Sequence, residues 1–236
     1  MALPASSRVC GFEKEEPLTE PITNKQLWAA IHAERAALAE DLAMLNDKQW
    51  ASPSLCERWN VEEVVAHLSA AASTGPLRWI GSALGARFDF ELHNSRRLAE
   101  HLGPTPADTL SQFRQVIPST TSPFGPVAAW LGELVVHAED IRRPLGIAHR
   151  LPIETATEVA GFFSRRSFTV KSKETVAGLR VEASDGPLAS GQGPLVRGTT
   201  LALAMAMAGR AAFCDELEGP GVATLRSRLD APNTKI

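Results

Sequence analysis

The sequence is poor in cysteine and aromatic residues and has no marked excess of either charge. Its three cysteines, Cys10, Cys56 and Cys214, are far apart and include no Cys-x-x-Cys pair. Neither a disulfide framework nor a thiolate-rich structural zinc site is therefore expected. The 24 basic and 27 acidic residues leave a net charge of −3 without a basic stripe. This balance argues against nucleic acid as a partner.

Long apolar runs are also missing. No stretch approaches the roughly 20 uninterrupted apolar residues that span a bilayer, so no membrane partner is expected. Residues 1–22 contain no apolar segment of signal-peptide length and become acidic early, which predicts a disordered leader and a cytoplasmic location. The chain does have 236 residues, 44% of them hydrophobic, which is enough to build a real core.

Helix start signals mark the first part of the chain. Thr23 and Gln26 form a capping box before leucine and isoleucine residues at helical spacing, and they predict a helix over about residues 24–45. Asn60 and Glu63 repeat the pattern before a second apolar segment. These two helices are the clearest local predictions of the sequence.

Further helices are expected before residue 150. One covers residues 90–102, and the next opens with Thr105 as its cap and Pro106 at its first helical position. Another carries the run Trp130–Asp140. The run Arg142–Gly146 is expected to close that helix, with Pro144 as the stop, because the residue preceding a proline is disfavoured in the helical conformation.

From about residue 150 the pattern changes. Residues 153–168 predict one more helix, residues 175–183 alternate like a strand, residues 199–210 predict a buried helix, and residues 222–229 alternate again. The predicted fold class is α+β, a helical bundle followed by a small α/β module. The expected boundaries are a leader at 1–22, the bundle at 23–150, the second domain at 151–230 and a tail at 231–236.

Two histidines and a glutamate suggest a metal site. Glu133 and His137 stand four residues apart in an apolar segment, so both side chains should lie on one helix face, one turn apart. His67 lies on another apolar helix. Two imidazoles and one carboxylate form the ligand set of a catalytic divalent metal, most typically zinc, with an open position for water or substrate.

Other residues near this motif leave alternatives open. Glu63 has the same spacing to His67 and could make the site dinuclear, but its capping role at Asn60 favours a mononuclear site. Cys56 has no evident base and is interpreted as an ordinary small buried residue. The remaining histidines are interpreted as surface residues, namely His32, His93, His101 and His149.

Charged residues at the end of the same helix could complete a site. Asp140 can share the face of His137 and orient that ligand, or it can serve only the helix end. Arg142 and Arg143 could hold a carboxylate of a substrate or cosubstrate, or simply interact favourably with the C-terminal end of the helix dipole.

These segments carry a family resemblance. The run SLCERWNVEEVVAHL at residues 54–68 and the run ELVVHAEDIRRPLG at residues 133–146 resemble the mycothiol-dependent maleylpyruvate isomerase family. The runs VAGLRVEA at 176–183, AGR at 208–210 and GVATLRSRL at 221–229 resemble its C-terminal domain. The likeness thus extends over about residues 24–230.

The resemblance implies a DinB-like four-helix bundle followed by a domain similar to sterol-carrier proteins (SCP2-like). It implies a metal held by His67, Glu133 and His137, and mycothiol, the cytosolic thiol of actinobacteria, as cosubstrate. It also suggests that Arg210 faces the cleft of the bundle. The family is broad, so the electrophilic substrate does not follow from it.

The function expected from the sequence is activation of a thiol for attack on an electrophilic small molecule. A divalent cation would lower the pKa of the thiol, and the thiolate would add to carbon. An isomerase then expels the thiol, whereas an S-transferase releases the adduct. The alternatives are a non-catalytic metal-binding stress or regulatory protein, and a carrier of apolar ligands that uses residues 201–207. The protein is expected to be a monomer or a homodimer.

Overall fold

A computed structural model of the chain describes residues 22–56, 58–76, 97–168 and 170–230. The predicted leader, except for its last residue, and the predicted tail lie outside these residues. So does the greater part of the helix predicted over residues 90–102.

Helices dominate the first part of the described chain. Both predicted capping boxes are formed, by Thr23 with Gln26 and by Asn60 with Glu63. Thr105 caps the next helix as predicted. The helices are α1 (Asn24–Ala43), α2 (Asp47–Trp50), α3 (Val61–Ser73), α4 (Pro106–Val116) and α5 (Val127–Leu145).

The run expected to close α5 contains the end of the helix, but the expected stop at Pro144 is wrong. The helix continues through Pro144 to Leu145 and is capped by Gly146, which adopts the left-handed conformation with φ 66°. Proline has no N–H to donate to the carbonyl four residues earlier, which belongs to Asp140. That carbonyl instead accepts a hydrogen bond of 3.0 Å from the Leu55 N–H. The proline is tolerated because the freed acceptor has a partner in the loop before α3.

The second part of the chain combines helices with a small sheet. Strand β1 lies at the centre, antiparallel to β2 and parallel to β3, with Val181 opposite both Ser190 and Val196. The α+β class predicted from the sequence is confirmed. The elements are α6 (Ile153–Arg165), α7 (Ser172–Thr175), β1 (Arg180–Ala183), β2 (Ala189–Ser190), β3 (Leu195–Gly198), α8 (Thr200–Met207), a 3-10 helix (Ala211–Glu216) and α9 (Val222–Asp230).

Two strand predictions need correction. The strand expected over residues 175–183 covers only β1, and the segment expected to alternate at residues 222–229 is the helix α9. Val222, Leu225 and Leu229 are spaced three and four residues apart, so they also fit one face of a helix, and all three pack on the core. A segment this short fits both the helix and the strand periodicity, and its packing against the core decides which of the two forms.

One hydrophobic core runs through both parts of the chain. Helix α5 packs against α1 and α3 on the bundle side and against α6 on the other, while α6 also packs on α8. Gly132 permits the close approach of α6, because a Cβ at that position would lie 2.8 Å from the ring of Phe163. Within the described residues, no helix is long and apolar enough to cross a membrane.

Candidate metal centre

The structure brings together the side chains of His67, Glu133 and His137. One potential ligand atom from each lies within 4.8 Å of the other two. The His67 Nε2 and Glu133 Oε1 atoms are 3.0 Å apart, and the rings of His67 and His137 meet edge to face with centroids 5.0 Å apart. All three side chains are largely but not fully buried, so the cluster can be reached from solvent.

Helix geometry explains this convergence. The cap at Asn60 fixes the start of α3, which places His67 about two turns inside the helix. The neighbouring Val64, Val65 and Leu68 are buried and hold this face of α3 against the bundle. Helix α5 packs against α3 and presents its own donors one turn apart. Two rigid helices thus supply all three groups.

Two groups of the cluster, Glu133 and His137, have shifted pKa values. Burial opposes the charged form of Glu133, but the hydrogen bond from His67 and the two imidazoles outweigh it and lower the pKa of the carboxyl group. Burial lowers the pKa of His137, and Asp140 offsets this only in part. An ionised carboxylate beside a neutral imidazole is the protonation state that metal ligation requires.

Asp140 and Arg210 stand behind His137. The Asp140 Oδ2 atom is 3.0 Å from His137 Nδ1, and Asp140 is fully buried. Arg210 donates from Nε to Oδ1 at 2.9 Å and from Nη2 to Oδ2 at 2.5 Å. Burial would raise the pKa of Asp140, but His137 and Arg210 together lower it. An ionised Asp140 accepts the Nδ1 proton of His137, which leaves Nε2 with its lone pair free for a metal.

The structure places Arg142 and Arg143 away from the cluster. Arg142 is buried, and its guanidinium lies 2.8 Å from Asp41 and 3.6 Å from both Glu34 and Glu139. Arg143 pairs with Glu216 and lies 4.2 Å over the ring of Phe213. Both guanidinium groups therefore form ion pairs that link α5 to neighbouring helices. The prediction that they orient a ligand receives no geometric support.

Two residues of the loop before α3 belong to the site and had no role in the sequence prediction. The ring of Trp59 lies 4.7 Å from that of His67 and 6.3 Å from that of His137. Cys56 offers its sulfur within 4.8 Å of donor atoms of His137 and Asp140. Burial and the charge of Asp140 raise the pKa of Cys56, so its thiol is held protonated. The Leu55 N–H bonds the Asp140 carbonyl at 3.0 Å and ties this loop to α5, a contact that no local sequence pattern encodes.

A cavity of about 600 Å³ opens onto the cluster. This is the volume of a site for a small organic molecule. Its described lining includes Arg210 of the second part of the chain, so that part helps to form the site. Most of the other lining side chains are apolar, namely Trp59, Ala70, Ala71, Pro123, Phe124, Trp130, Val136, Phe163, Phe168, Val170 and Ala208.

The remaining histidines have other contacts. The ring of His32 lies 3.2 Å from the Ser119 carbonyl, and that of His149 lies 3.0 Å from the buried Glu34. These two histidines and His101 are partly buried, so the interpretation of them as surface residues is not confirmed. His93 lies outside the described residues.

Comparisons with known proteins agree with this fold. Residues 31–123 match the family model for the mycothiol maleylpyruvate isomerase N-terminal domain. Two crystal structures of the mycothiol-dependent maleylpyruvate isomerase, one of a histidine-to-alanine mutant, resemble the chain with a TM-score of 0.58 and 14% identity. Each alignment covers 84% of this chain and 93% of that one. No curated protein sequence matches the chain.

The resemblance to this family is thus confirmed for the N-terminal domain, and the shared fold extends over most of the chain. The family model includes His67 but ends before Glu133 and His137. At 14% identity the solved structures bear on fold alone. The roles of individual residues rest on the geometry described above.

Proposed function

We propose that this protein is a metal-dependent and mycothiol-dependent enzyme that activates the thiol for attack on an electrophilic carbon. One observation carries the proposal. His67, Glu133 and His137 lie within 4.8 Å of one another at the wall of an open cavity. The match to the mycothiol maleylpyruvate isomerase N-terminal domain supports mycothiol as the cosubstrate.

The three side chains fit a divalent metal. Two imidazoles and one carboxylate whose donor atoms lie within 4.8 Å of one another are the ligand types and number that a catalytic divalent metal takes. His137 is also held by Asp140 at 3.0 Å, the carboxylate partner that metal-bound histidines commonly have. Glu63 does not join the group, since its carboxylate accepts the Asn60 N–H at 2.9 Å. Three ligands with an open side favour a catalytic over a structural metal.

When bound here, a divalent metal such as zinc supplies Lewis acidity that stabilises a thiolate at neutral pH. The protein contributes the rest. Arg210 keeps Asp140 ionised, and Asp140 holds the Nδ1 proton of His137 and so fixes the ring orientation. The ring of Trp59 packs against that of His67, with the centroids 4.7 Å apart. Both imidazoles are thereby held for ligation before substrate arrives.

The chemistry after attack can take two courses. If the double bond of the substrate is lost on addition, rotation about the resulting single bond and expulsion of the thiol give an isomer. If the adduct leaves, the reaction is an S-transfer. The match of residues 31–123 to the mycothiol maleylpyruvate isomerase N-terminal domain favours the first course. Both courses need the same thiolate.

The test follows thiol during turnover. Purified full-length protein is loaded with zinc and mixed with mycothiol and maleylpyruvate, and free thiol and the isomer are measured together. Isomer formation with constant thiol supports the isomerase, and loss of thiol with each turnover supports the transferase. Absence of both for maleylpyruvate and for a panel of simple enones would contradict the proposal.

A further inference from the structure

One buried arginine of α1 keeps several hydrogen-bond donors without a partner. Arg35 is 7% exposed, and its Nη1 atom donates to the carbonyls of Val116 and Ser119 at 3.0 and 2.8 Å. A guanidinium group has five N–H donors, and these two bonds use the two on Nη1. Within the described residues, the N–H groups on Nε and Nη2 of Arg35 donate to no protein atom. Three donors of a buried cation are therefore open to a ligand.

Arg35 also lacks a counter-charge. The other two buried arginines of the described chain have carboxylate partners. Arg97 pairs with Glu100 at 2.9 Å, and Arg142 lies 2.8 Å from Asp41. Arg35 forms no such ion pair in the described part of the chain, and burial lowers its pKa to about 10, so it is still charged at neutral pH. A buried charge without a partner is unfavourable, and an anion beside it would stabilise the folded protein.

A second, much smaller cavity adjoins Arg35. Its volume is about 20 Å³, which is room for one particle of about the size of a water molecule. Phosphate, sulfate and carboxylate groups are too large for it. Besides Arg35, its described lining consists of Leu68, Ala71, Thr121, Trp130, Glu133 and Leu134. The Thr121 hydroxyl is a further donor in this mostly apolar wall.

Glu133 lines the same cavity but does not neutralise Arg35. Its Oε1 atom lies 3.0 Å from His67 Nε2, and the pKa of its carboxyl group is lowered by His67 and His137 rather than by Arg35. The pKa of Arg35 likewise shows no effect of a carboxylate. The charge of Glu133 is therefore balanced by the two histidines, and the counter-charge of Arg35 has to come from elsewhere.

From the unpaired donors of Arg35 and the small cavity beside them, we infer that the second cavity is a binding site for a monatomic anion, namely chloride. The ion accepts hydrogen bonds from the free N–H groups of Arg35 and from the Thr121 hydroxyl, while apolar side chains complete its surroundings. Because Arg35 also holds the carbonyls of Val116 and Ser119, the bound ion stabilises the segment that joins α4 to α5. This role needs neither metal nor thiol.

Thermal unfolding measures this site in solution. The full-length protein is heated in sodium chloride and in sodium gluconate of the same ionic strength, because gluconate is too large for the cavity. We expect chloride to raise the Tm by about 2 °C or more, since a ligand that binds only the folded state stabilises it. Equal Tm values in the two salts would overturn the inference and leave the proposed function standing.

Two variants assign the effect to the cavity. Arg35→Met removes the donors and should abolish the difference in Tm between chloride and gluconate. His32→Ala is the matched control, because the His32 ring lies 3.2 Å from the same Ser119 carbonyl but His32 is not part of the described cavity lining. It should keep the full difference. A chloride effect that persists in Arg35→Met, or that is lost equally in His32→Ala, would contradict the assignment of the site.

Bromide diffraction locates the ion without a variant, which decides the question even if Arg35→Met does not fold. Crystals of the unmodified chain are soaked in sodium bromide, and anomalous data are collected at the bromine absorption edge. Anomalous density in hydrogen-bonding contact with Nε or Nη2 of Arg35 supports the site. Bromide found elsewhere on the protein, as an adventitious ion only, would refute it.

Discussion

At the scale of single residues, His137 is the donor on which the site depends. It shares the cluster with His67 and Glu133 and is the histidine held by Asp140. Replacing one of three ligands should cost more than the ~10–100-fold that follows from loss of an outer hydrogen-bond partner. We predict that His137→Ala lowers zinc affinity by at least ~100-fold, as measured by competition with a chromophoric chelator.

The matched control for this variant is His32→Ala. His32 is also partly buried in a helix, but its ring contacts the Ser119 carbonyl and no potential metal ligand. It should keep the zinc affinity of the unmodified protein. If His137→Ala binds zinc as tightly as His32→Ala does, His137 is not a ligand.

Arg210 acts through another residue. Its guanidinium holds the fully buried Asp140, which in turn holds His137. Without Arg210 the pKa of Asp140 rises, because a main cause of its depression is lost. We predict that Arg210→Met lowers kcat by ~10–100-fold and moves the acidic limb of the pH–rate profile to higher pH.

Arg143→Met is the control for that measurement. Arg143 lies on α5, the helix that carries His137, but it contacts Glu216 and Phe213 rather than the cluster. Turnover by this variant should match that of the unmodified enzyme. A loss equal to that of Arg210→Met would restore the interpretation that Arg143 orients a ligand.

At the scale of elements, Pro144 couples α5 to the loop before α3. The carbonyl that it leaves free accepts the Leu55 N–H, and the same loop carries Cys56 and Trp59 to the site. Pro144→Ala supplies an N–H that competes for that carbonyl. A net hydrogen bond contributes about 1 kcal/mol, so the Leu55 amide should exchange with solvent about fivefold faster.

Hydrogen exchange followed by NMR measures this amide directly. Pro106→Ala is the matched control, because Pro106 stands at the first position of α4, where an N–H has no helical partner. Unchanged exchange of Leu55 in Pro144→Ala would show that the loop is held by its own bonds, such as that from Ser54 Oγ to the Trp59 carbonyl at 2.7 Å.

The elements also show where sequence patterns are sufficient. The capping boxes at Thr23 and Asn60 are local, and both helices start where these patterns predict. Helix α9 was predicted wrongly because its nine residues fit both the helix and the strand periodicity. Its packing on a core formed by residues distant in sequence decides that it is a helix. Pro144 was misread because the partner of its freed carbonyl lies 85 residues earlier in the sequence. Local capping residues therefore predict where these helices start, whereas tertiary contacts decide the cases of α9 and Pro144.

At the scale of the whole molecule, the site is formed jointly by the bundle and the segment that follows it. The donors His67, Glu133 and His137 come from α3 and α5, whereas Arg210 follows α8. The sequence motifs and the family resemblance pointed to these four residues. The contacts among the rings of Phe124, Trp130 and Phe168 at the cavity were not predicted, because Phe168 is distant in sequence from the other two and only folding brings them together.

The central claim is that His67, Glu133 and His137 bind a metal that takes up a thiol. Zinc-edge X-ray absorption on the zinc-loaded full chain tests it most directly, before and after addition of mycothiol. We predict nitrogen and oxygen neighbours of the zinc at about 2.0–2.2 Å with no sulfur at first, and a sulfur neighbour at about 2.3 Å only once mycothiol is present. Sulfur before addition would identify Cys56 as a ligand that closes the site. A spectrum that mycothiol leaves unchanged would contradict thiol activation at this centre.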